Sequence, residues 1–228
     1  MKNFKKTRED QYNALYDAVS ENEPYQLGLM SNHTWENDPK RLLFVMSRYK
    51  FVSRILEGRS QILEIGCADG FGTRIVQQTT GNMTVVDFDP VFVEEVQGRK
   101  NTNWKMNALV HDMLDGAVAK SEFDGAYALD VLEHVDQEHE HTFIKNVAAS
   151  IKDDGVVVFG MPSLESQDHA SAQSKIGHIN CKSGPDFRST MEKHFKCVFM
   201  FSMNDEVVHT GFFPMAHYLF AVCCYKKK

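Results

Sequence analysis

Ile62-Leu63-Glu64-Ile65-Gly66-Cys67-Ala68-Asp69-Gly70-Phe71-Gly72 is the stretch that decides the fold. A short apolar run opens it, glycines stand at 66, 70 and 72, and helical spacing resumes beyond them. Glycine has no Cβ, so a strand that runs into glycines and then a helix lets backbone approach a ligand closely. Asp87 closes the next apolar run about 20 residues after Gly66, where a doubly wound sheet sets a carboxylate on ribose hydroxyls. A nucleotide or nucleoside is therefore expected at the carboxyl ends of the first strands. Its class follows from what is missing. Counting from Gly66, Ala68 and Phe71 stand where GxGxxG needs glycine, and no GxxxxGK followed by Ser or Thr occurs. Glu64 beside the turn would repel a pyrophosphate and suits a cationic amine, such as the amino-acid half of S-adenosylmethionine.

Around this stretch, short apolar strands alternate with helical spacing. Strands are expected over 61–65, 83–87, 104–110, 123–129 and 155–160, with helices over 72–80, 91–98 and 136–151. Such alternation specifies a parallel α/β sheet covered by helices on both faces. The alternation stops near the end, where 195–202 and 217–225 read as an antiparallel closing pair. Upstream, Asp38-Pro39 reads as a helix start. Leu42, Leu43, Val45, Met46, Tyr49, Val52, Ile55 and Leu56 then follow at i+3/i+4 spacing to Gly58. Apolar positions at Phe4, Tyr12, Leu15, Tyr16 and Val19 are also roughly helical in spacing. Residues 1–57 thus form a helical N-terminal extension, and 58–228 the nucleoside-binding domain.

Composition narrows the field. The 228 residues, 26.0 kDa, are 43% hydrophobic and 25% charged, ordinary values for a globular chain with a proper core. Lys plus Arg number 25 against 31 Asp plus Glu, and the resulting −6 speaks against duplex nucleic acid as a partner. No apolar run approaches the roughly 20 residues that cross a bilayer, and the basic start has no apolar run behind it, so no membrane contact is expected. Five cysteines form no CxxC pair, which indicates neither a disulfide framework nor a zinc site. A reduced, soluble, cytoplasmic chain is the expectation, with oligomeric state left open.

In these motifs the chain resembles the class I S-adenosylmethionine-dependent methyltransferases. Their acid-x-Gly-x-Gly-x-Gly is matched by Glu64, Gly66 and Gly70, with Ala68 in place of the middle glycine, acceptable if its φ is negative. The resemblance implies that Asp87 holds both ribose hydroxyls, that Phe88 lies against the adenine, and that Asp112, beside Met113, bonds the adenine amino group. The run Phe123-Asp124-Gly125-Ala126-Tyr127-Ala128-Leu129-Asp130-Val131-Leu132-Glu133-His134-Val135 is similar to the family's D-v-l-E-H segment and adds Leu129 to the cofactor set. In register over about 58–162, these motifs imply a three-layer Rossmann-like fold. Its sheet would be mostly parallel and seven-stranded, with an antiparallel C-terminal hairpin.

Methyl transfer from a sulfonium is an in-line displacement, so the protein must align the nucleophile and often remove a proton. His134 and His178 are the candidate bases, because imidazole titrates near working pH. D-x-x-E-H places Asp130, Glu133 and His134 on adjoining positions of one helical turn, and with His178 they could hold Mg²⁺ or Mn²⁺. This is similar to the metal-binding E-x-x-E-H and later His of small-RNA 3′-terminal 2′-O-methyltransferases, and to the ubiquinone-pathway O-methyltransferases. Asp replaces the first Glu here. The competing reading gives Glu133 and His134 a pocket-shaping role without metal.

Other features weigh less. His139-Glu140-His141 starts like a zincin, but Phe143 stands where the second histidine belongs. Arg48 and Tyr49 could reach the cofactor carboxylate, against the plainer reading of an exposed helix face. His33, Trp35 and Glu36 could close over a substrate or simply pack. His209-Thr210-Gly211-Phe212-Phe213 could line an acceptor pocket, and Cys223 and Cys224 would alternate across a strand. The sequence therefore predicts methylation at O or N of a small polar acceptor, such as a sugar precursor or catechol-like ring. The alternatives are a metal-dependent RNA ribose 2′-O-methyltransferase, a non-catalytic cofactor-binding module and, more distantly, a dehydrogenase.

Overall fold

The computed structural model describes residues 7–14, 26–99 and 104–227. Leu15, Tyr16, Val19 and Phe4, part of the expected N-terminal helical spacing, lie outside these residues. The strands are β1 (Gln61–Ile65), β2 (Asn82–Asp87), β3 (Met106–Val110), β4 (Phe123–Leu129), β5 (Ile151–Pro162), β6 (Phe195–Asn204), β7 (Val207–His209) and β8 (Tyr218–Lys226). They make one sheet in the order β3-β2-β1-β4-β5-β8-β6-β7. From β3 to β5 the neighbours are parallel, and β8, β6 and β7 add on antiparallel. The sheet has one strand beyond the seven expected. The extra one is β7, three residues long and too short to show a period.

The helices are α1 (Leu29–Asn37), α2 (Pro39–Ile55), α3 (Thr73–Gln77), α4 (Pro90–Gly98), α5 (Glu140–Ser150), α6 (Ala172–Gly177) and α7 (Gly184–Glu192). Pro39 occupies the first turn of α2, and the Asp38 side chain accepts from the Arg41 N–H as its cap. The α4 start repeats this device with Asp89 and Pro90. No helix among the described residues is long and apolar enough to cross a membrane.

Period-two alternation sorts the strand side chains between two cores. Leu63, Ile65, Val157, Phe159 and Leu219 face α5 and α7, packing with Phe143, Ile144 and Phe187. Ile62, Tyr127, Val158 and Phe220 face the other way, with Val52 and Leu56 from α2 and its C-terminal turn. The expected boundary at 57/58 thus falls just after Leu56, which is fully buried in that second core. Strand order reverses between β1 and β4. At such a switch point the chains leaving the sheet diverge and open a crevice at the strands' carboxyl ends.

Candidate active site

At the end of β1 the chain turns through Gly66 at φ +70 and Gly70 at φ +61. A Cβ on Gly66 would come within 2.4 Å of Val131, so this position requires glycine on both counts. Ala68 also lies at φ +44, contrary to the expectation that a non-glycine residue here keeps φ negative. Its backbone N–H donates to Asp87 at 3.0 Å, and the N–H of Asp89 donates to the other oxygen of Asp87 at 3.0 Å. Two amides therefore fix a carboxylate at the end of β2, at the crevice.

The crevice is lined by Gly66, Asp87, Phe88, Asp112, Met113 and His134, among others. Asp112 is held by the N–H of Leu114 at 2.8 Å, and Phe88 stands 73% exposed, a free ring face beside Asp87. Five of the expected cofactor residues, Gly66, Asp87, Phe88, Asp112 and Met113, are thus brought together at one cleft. The other four are elsewhere. Leu129 is in the core on the α2 side. Gly70 and Ala68 shape the turn from behind. Glu64, on the sheet face that α2 covers, is 1% exposed and accepts from the Thr73 hydroxyl at 2.5 Å. Burial pushes its carboxyl up to about 7, with Thr73, Tyr127 and Tyr49 opposing the rise. An even-numbered position on β1 points away from the cleft, which is why Glu64 does not line it.

Asp69, inside the turn, has a role the sequence did not signal. Its carboxylate accepts from the Ser31 N–H at 2.7 Å, and Glu95 accepts from the Leu29 N–H at 2.7 Å. Both cap the first turn of α1 from outside the helix. Gly28 makes room for this, since a Cβ there would come within 2.8 Å of Asp69 at φ +104. The segment carrying His33, Trp35 and Glu36 is thus helical and docked on the glycine turn.

Beyond β4 the helical turn expected for D-x-x-E-H is interrupted. Asp130 sits at φ +57, and only Leu132–His134 forms a 3-10 turn. Asp130 consequently points to Arg48, whose Nη1 reaches both carboxylate oxygens at 2.8 and 2.6 Å. The guanidinium also stacks 3.9 Å over the Tyr218 ring. Arg48 is no exposed-face arginine; its side chain is 16% exposed. Tyr49 lies against Gly72 and meets Tyr127 edge-on.

The residues that do converge are Glu133, His134 and His178, whose ligand atoms all lie within 4.8 Å of one another. Glu133 is fully buried, and among the described residues neither carboxylate oxygen has a hydrogen-bond partner. Burial, then the Asp130 charge, holds its carboxyl well above the usual range. His134 Nδ1 lies 2.8 Å from the carbonyl of Gly177, which only accepts, so Nδ1 carries a proton. Burial, then His134, keeps His178 below the ordinary imidazole value and so neutral near pH 7. A buried carboxyl group without a partner beside two imidazoles is a donor set that fits a divalent cation, whose charge would favour the ionised form of Glu133. The segment bearing His178 is tied down by the Ile179 and Asn180 N–H groups, which donate to the Glu133 carbonyl at 2.9 and 3.0 Å. A buried Lys182–Glu140 ion pair at 2.7 Å anchors it further.

The remaining candidates stand apart. Glu140 of the zincin-like run is spent on Lys182 and Asn180. His209 bonds Asn204 at 2.8 Å, and Thr210, Gly211 and Phe213 line a separate apolar cavity with Met200 and Leu219. Cys223 and Cys224 do alternate, the first buried and the second half-buried.

The glycine turn, the Asp87 carboxylate and the cleft thus lie together at the switch point of the sheet. Comparison with known proteins finds relatives with the same fold. The methyltransferase-domain family profile matches residues 62–155. The mitochondrial ubiquinone biosynthesis O-methyltransferase of Schizosaccharomyces pombe is 26% identical over 152 residues, 62% of this chain and 55% of that protein. The chain therefore spans about half the length of this curated relative. Among solved structures, the N-methyltransferase NodS of Bradyrhizobium japonicum, in complex with S-adenosyl-L-homocysteine, superposes with a TM-score of 0.65 at 19% identity. It covers 95% of this chain and 99% of its own. The methyltransferase domain of the bacterial CtHen1-C gives a TM-score of 0.66 at 15% identity, over 81% and 100%. Residues 62–155 thus match a methyltransferase domain, and the chain has the fold of these S-adenosylmethionine-dependent enzymes.

Proposed function

We propose that the protein methylates a hydroxyl oxygen of a small polar acceptor carrying vicinal oxygens, a sugar unit or a catechol-like ring. The observation that carries this reading is Glu133, a buried carboxylate with no partner among the described residues, flanked by the His134 and His178 imidazoles. His134 also lines the nucleoside cleft, so an acceptor held at these three side chains lies next to the cofactor. Glu133, His134 and His178 would hold Mg²⁺ or Mn²⁺, and Asp130 would serve through Arg48 instead. A cation held there lowers the pKa of an oxygen bound to it. The chain's own part is to keep Glu133 dry, to present Nε2 of His134, and to fix the acceptor in line with the sulfonium methyl. In the transfer the acceptor hydroxyl gives its proton to solvent, its oxygen forms the new C–O bond as the C–S bond breaks, and the bonding pair stays on sulfur. Asp87 would hold the ribose and Asp112 the adenine. The acceptor is small in this reading because the −6 charge favours no long polyanion. The ubiquinone-pathway relative, an O-methyltransferase by name, is consistent with oxygen as the nucleophile.

A second reading has His134 as a general base without a cation, favoured by the exposure of its ring at the cleft. Calorimetric titration separates the two. S-adenosylhomocysteine should bind the metal-free protein, and Mn²⁺ should give a binding heat that Glu133→Gln abolishes. No Mn²⁺ heat in the unsubstituted protein would leave the histidine-base reading. No S-adenosylhomocysteine binding would overturn both.

A further inference from the structure

His134 and His178 present the same chemistry by different means. The proton of His134 is fixed on Nδ1 by a main-chain carbonyl, which no side-chain substitution removes. His178 has no such carbonyl. Its Nδ1 lies 2.8 Å from Oε1 of Gln167, in the 3-10 turn Glu165–His169 that follows β5. The orientation of that amide is set on its other side. Nε2 of Gln167 donates to the Ser163 carbonyl at 3.1 Å and to the Ser166 hydroxyl at 3.2 Å. The Ser166 proton is already given to the Ser163 carbonyl at 2.8 Å, so towards Gln167 this hydroxyl accepts. Turning the amide over would set its oxygen against two acceptors. Ser163 is itself tied down: it is fully buried, its hydroxyl donates to the Ala216 carbonyl at 2.6 Å and its N–H to that of His217 at 3.1 Å.

Ser163 thus orients Gln167, and Gln167 in turn requires a proton on Nδ1 of His178, which leaves the lone pair on Nε2. A neutral imidazole binds a cation only through its unprotonated nitrogen, and the partner of the other nitrogen selects which one that is. We propose that Gln167 is a positioning residue that holds His178 in the Nδ1–H tautomer, with Nε2 turned to the Glu133–His134 cluster. The proposal rests on the reading of that cluster as a cation site. The turn after β5 and the end of α6 meet over the site, 11 residues apart in sequence.

The test uses the whole chain, ¹⁵N-labelled and metal-free, with long-range ¹H–¹⁵N correlation of the imidazoles. His178 should be Nδ1-protonated in the unsubstituted protein and in Gln167→Glu, whose carboxylate still accepts. In Gln167→Leu the tautomer preference should be lost, with S-adenosylhomocysteine affinity unchanged as the check that the fold is intact. Mn²⁺ affinity should fall about tenfold in Gln167→Leu and be restored in Gln167→Glu. An Nε2-protonated His178 in the unsubstituted protein, or an unchanged tautomer in Gln167→Leu, would overturn the role of Gln167. Equal Mn²⁺ affinity in all three proteins would overturn it as well. Absence of Mn²⁺ uptake in every protein, with the tautomer shift as expected, would instead overturn the cation reading while the hydrogen-bond assignment stands.

Discussion

Ala68 is where the glycine turn departs from the methyltransferase pattern it resembles, and it is held at φ +44. The left-handed region costs a residue with a Cβ roughly 1–2 kcal/mol. Glycine would relieve that strain but brings more chain entropy to lose on folding, about 0.5–1 kcal/mol. Ala68→Gly should therefore stabilise the protein by about 0.5–1 kcal/mol in denaturant melts. Its N–H to Asp87 is main-chain, so S-adenosylhomocysteine affinity should be kept. Gly66→Ala reverses the argument at φ +70, where the new methyl meets Val131 at 2.4 Å. Its melting temperature should fall, and cofactor affinity with it. A drop in stability for Ala68→Gly would mean that the turn is not strained at this residue. That Ala68 replaces glycine was plain in the sequence, but the sign of its φ was not. Asp130 shows the same limit: D-x-x-E-H reads as one helical turn only while each residue is helical, and φ +57 at Asp130 turns its carboxylate to Arg48, 82 residues away in sequence.

At the scale of elements, the strands with buried flanks were the legible ones. β4 falls on 123–129 as expected because a central parallel strand is covered on both faces and reads as a nearly unbroken apolar run. β5 begins four residues earlier than expected, since Lys152, Asp153 and Asp154 at its exposed start carry no apolar signal. Also hidden was the anchoring of the segment from Gly177 to Lys182, which rests on contacts between distant parts of the chain. Lys182 and Glu140 have side chains only 9% and 10% exposed, and Asn180 bonds both. Removing one partner of a buried pair leaves the other charge desolvated, at a cost of about 3–5 kcal/mol, whereas apolar replacement of both is often near neutral. Lys182→Met should accordingly lose about 3 kcal/mol in denaturant melts. Lys182→Met combined with Glu140→Leu should recover most of it. If the double variant is as unstable as the single one, the pair is not what anchors this segment.

For the whole molecule, two buried groups on opposite sides of the sheet oppose each other in the dependence of stability on pH. Burial raises Glu64 from an ordinary 4.5 to about 7. The folded state then holds a proton that the unfolded chain has released, so the contribution of Glu64 falls as pH rises from about 4.5 and is fully lost above about 7. His194 is 7% exposed; burial, then the His141 ring beside it at 4.6 Å, lowers it from 6.5 to about 4. Here the unfolded chain takes up a proton that the folded state refuses. Its contribution is complete above about 6.5 and is lost as pH falls towards about 4. Between about 4.5 and 6.5 both slopes act, each up to about 1.4 kcal/mol per pH unit and of opposite sign. Relative to the unsubstituted protein, Glu64→Gln should make stability rise more steeply with pH across that window, and His194→Gln should make it fall. Urea melts at pH 5.0 and 6.5 on the three proteins measure both differences. Parallel curves for Glu64→Gln would mean that Glu64 ionises normally within the fold. In that case the carboxylate at the family's first acidic position is open to solvent or to a ligand cation, and not sealed behind the glycine turn by Thr73.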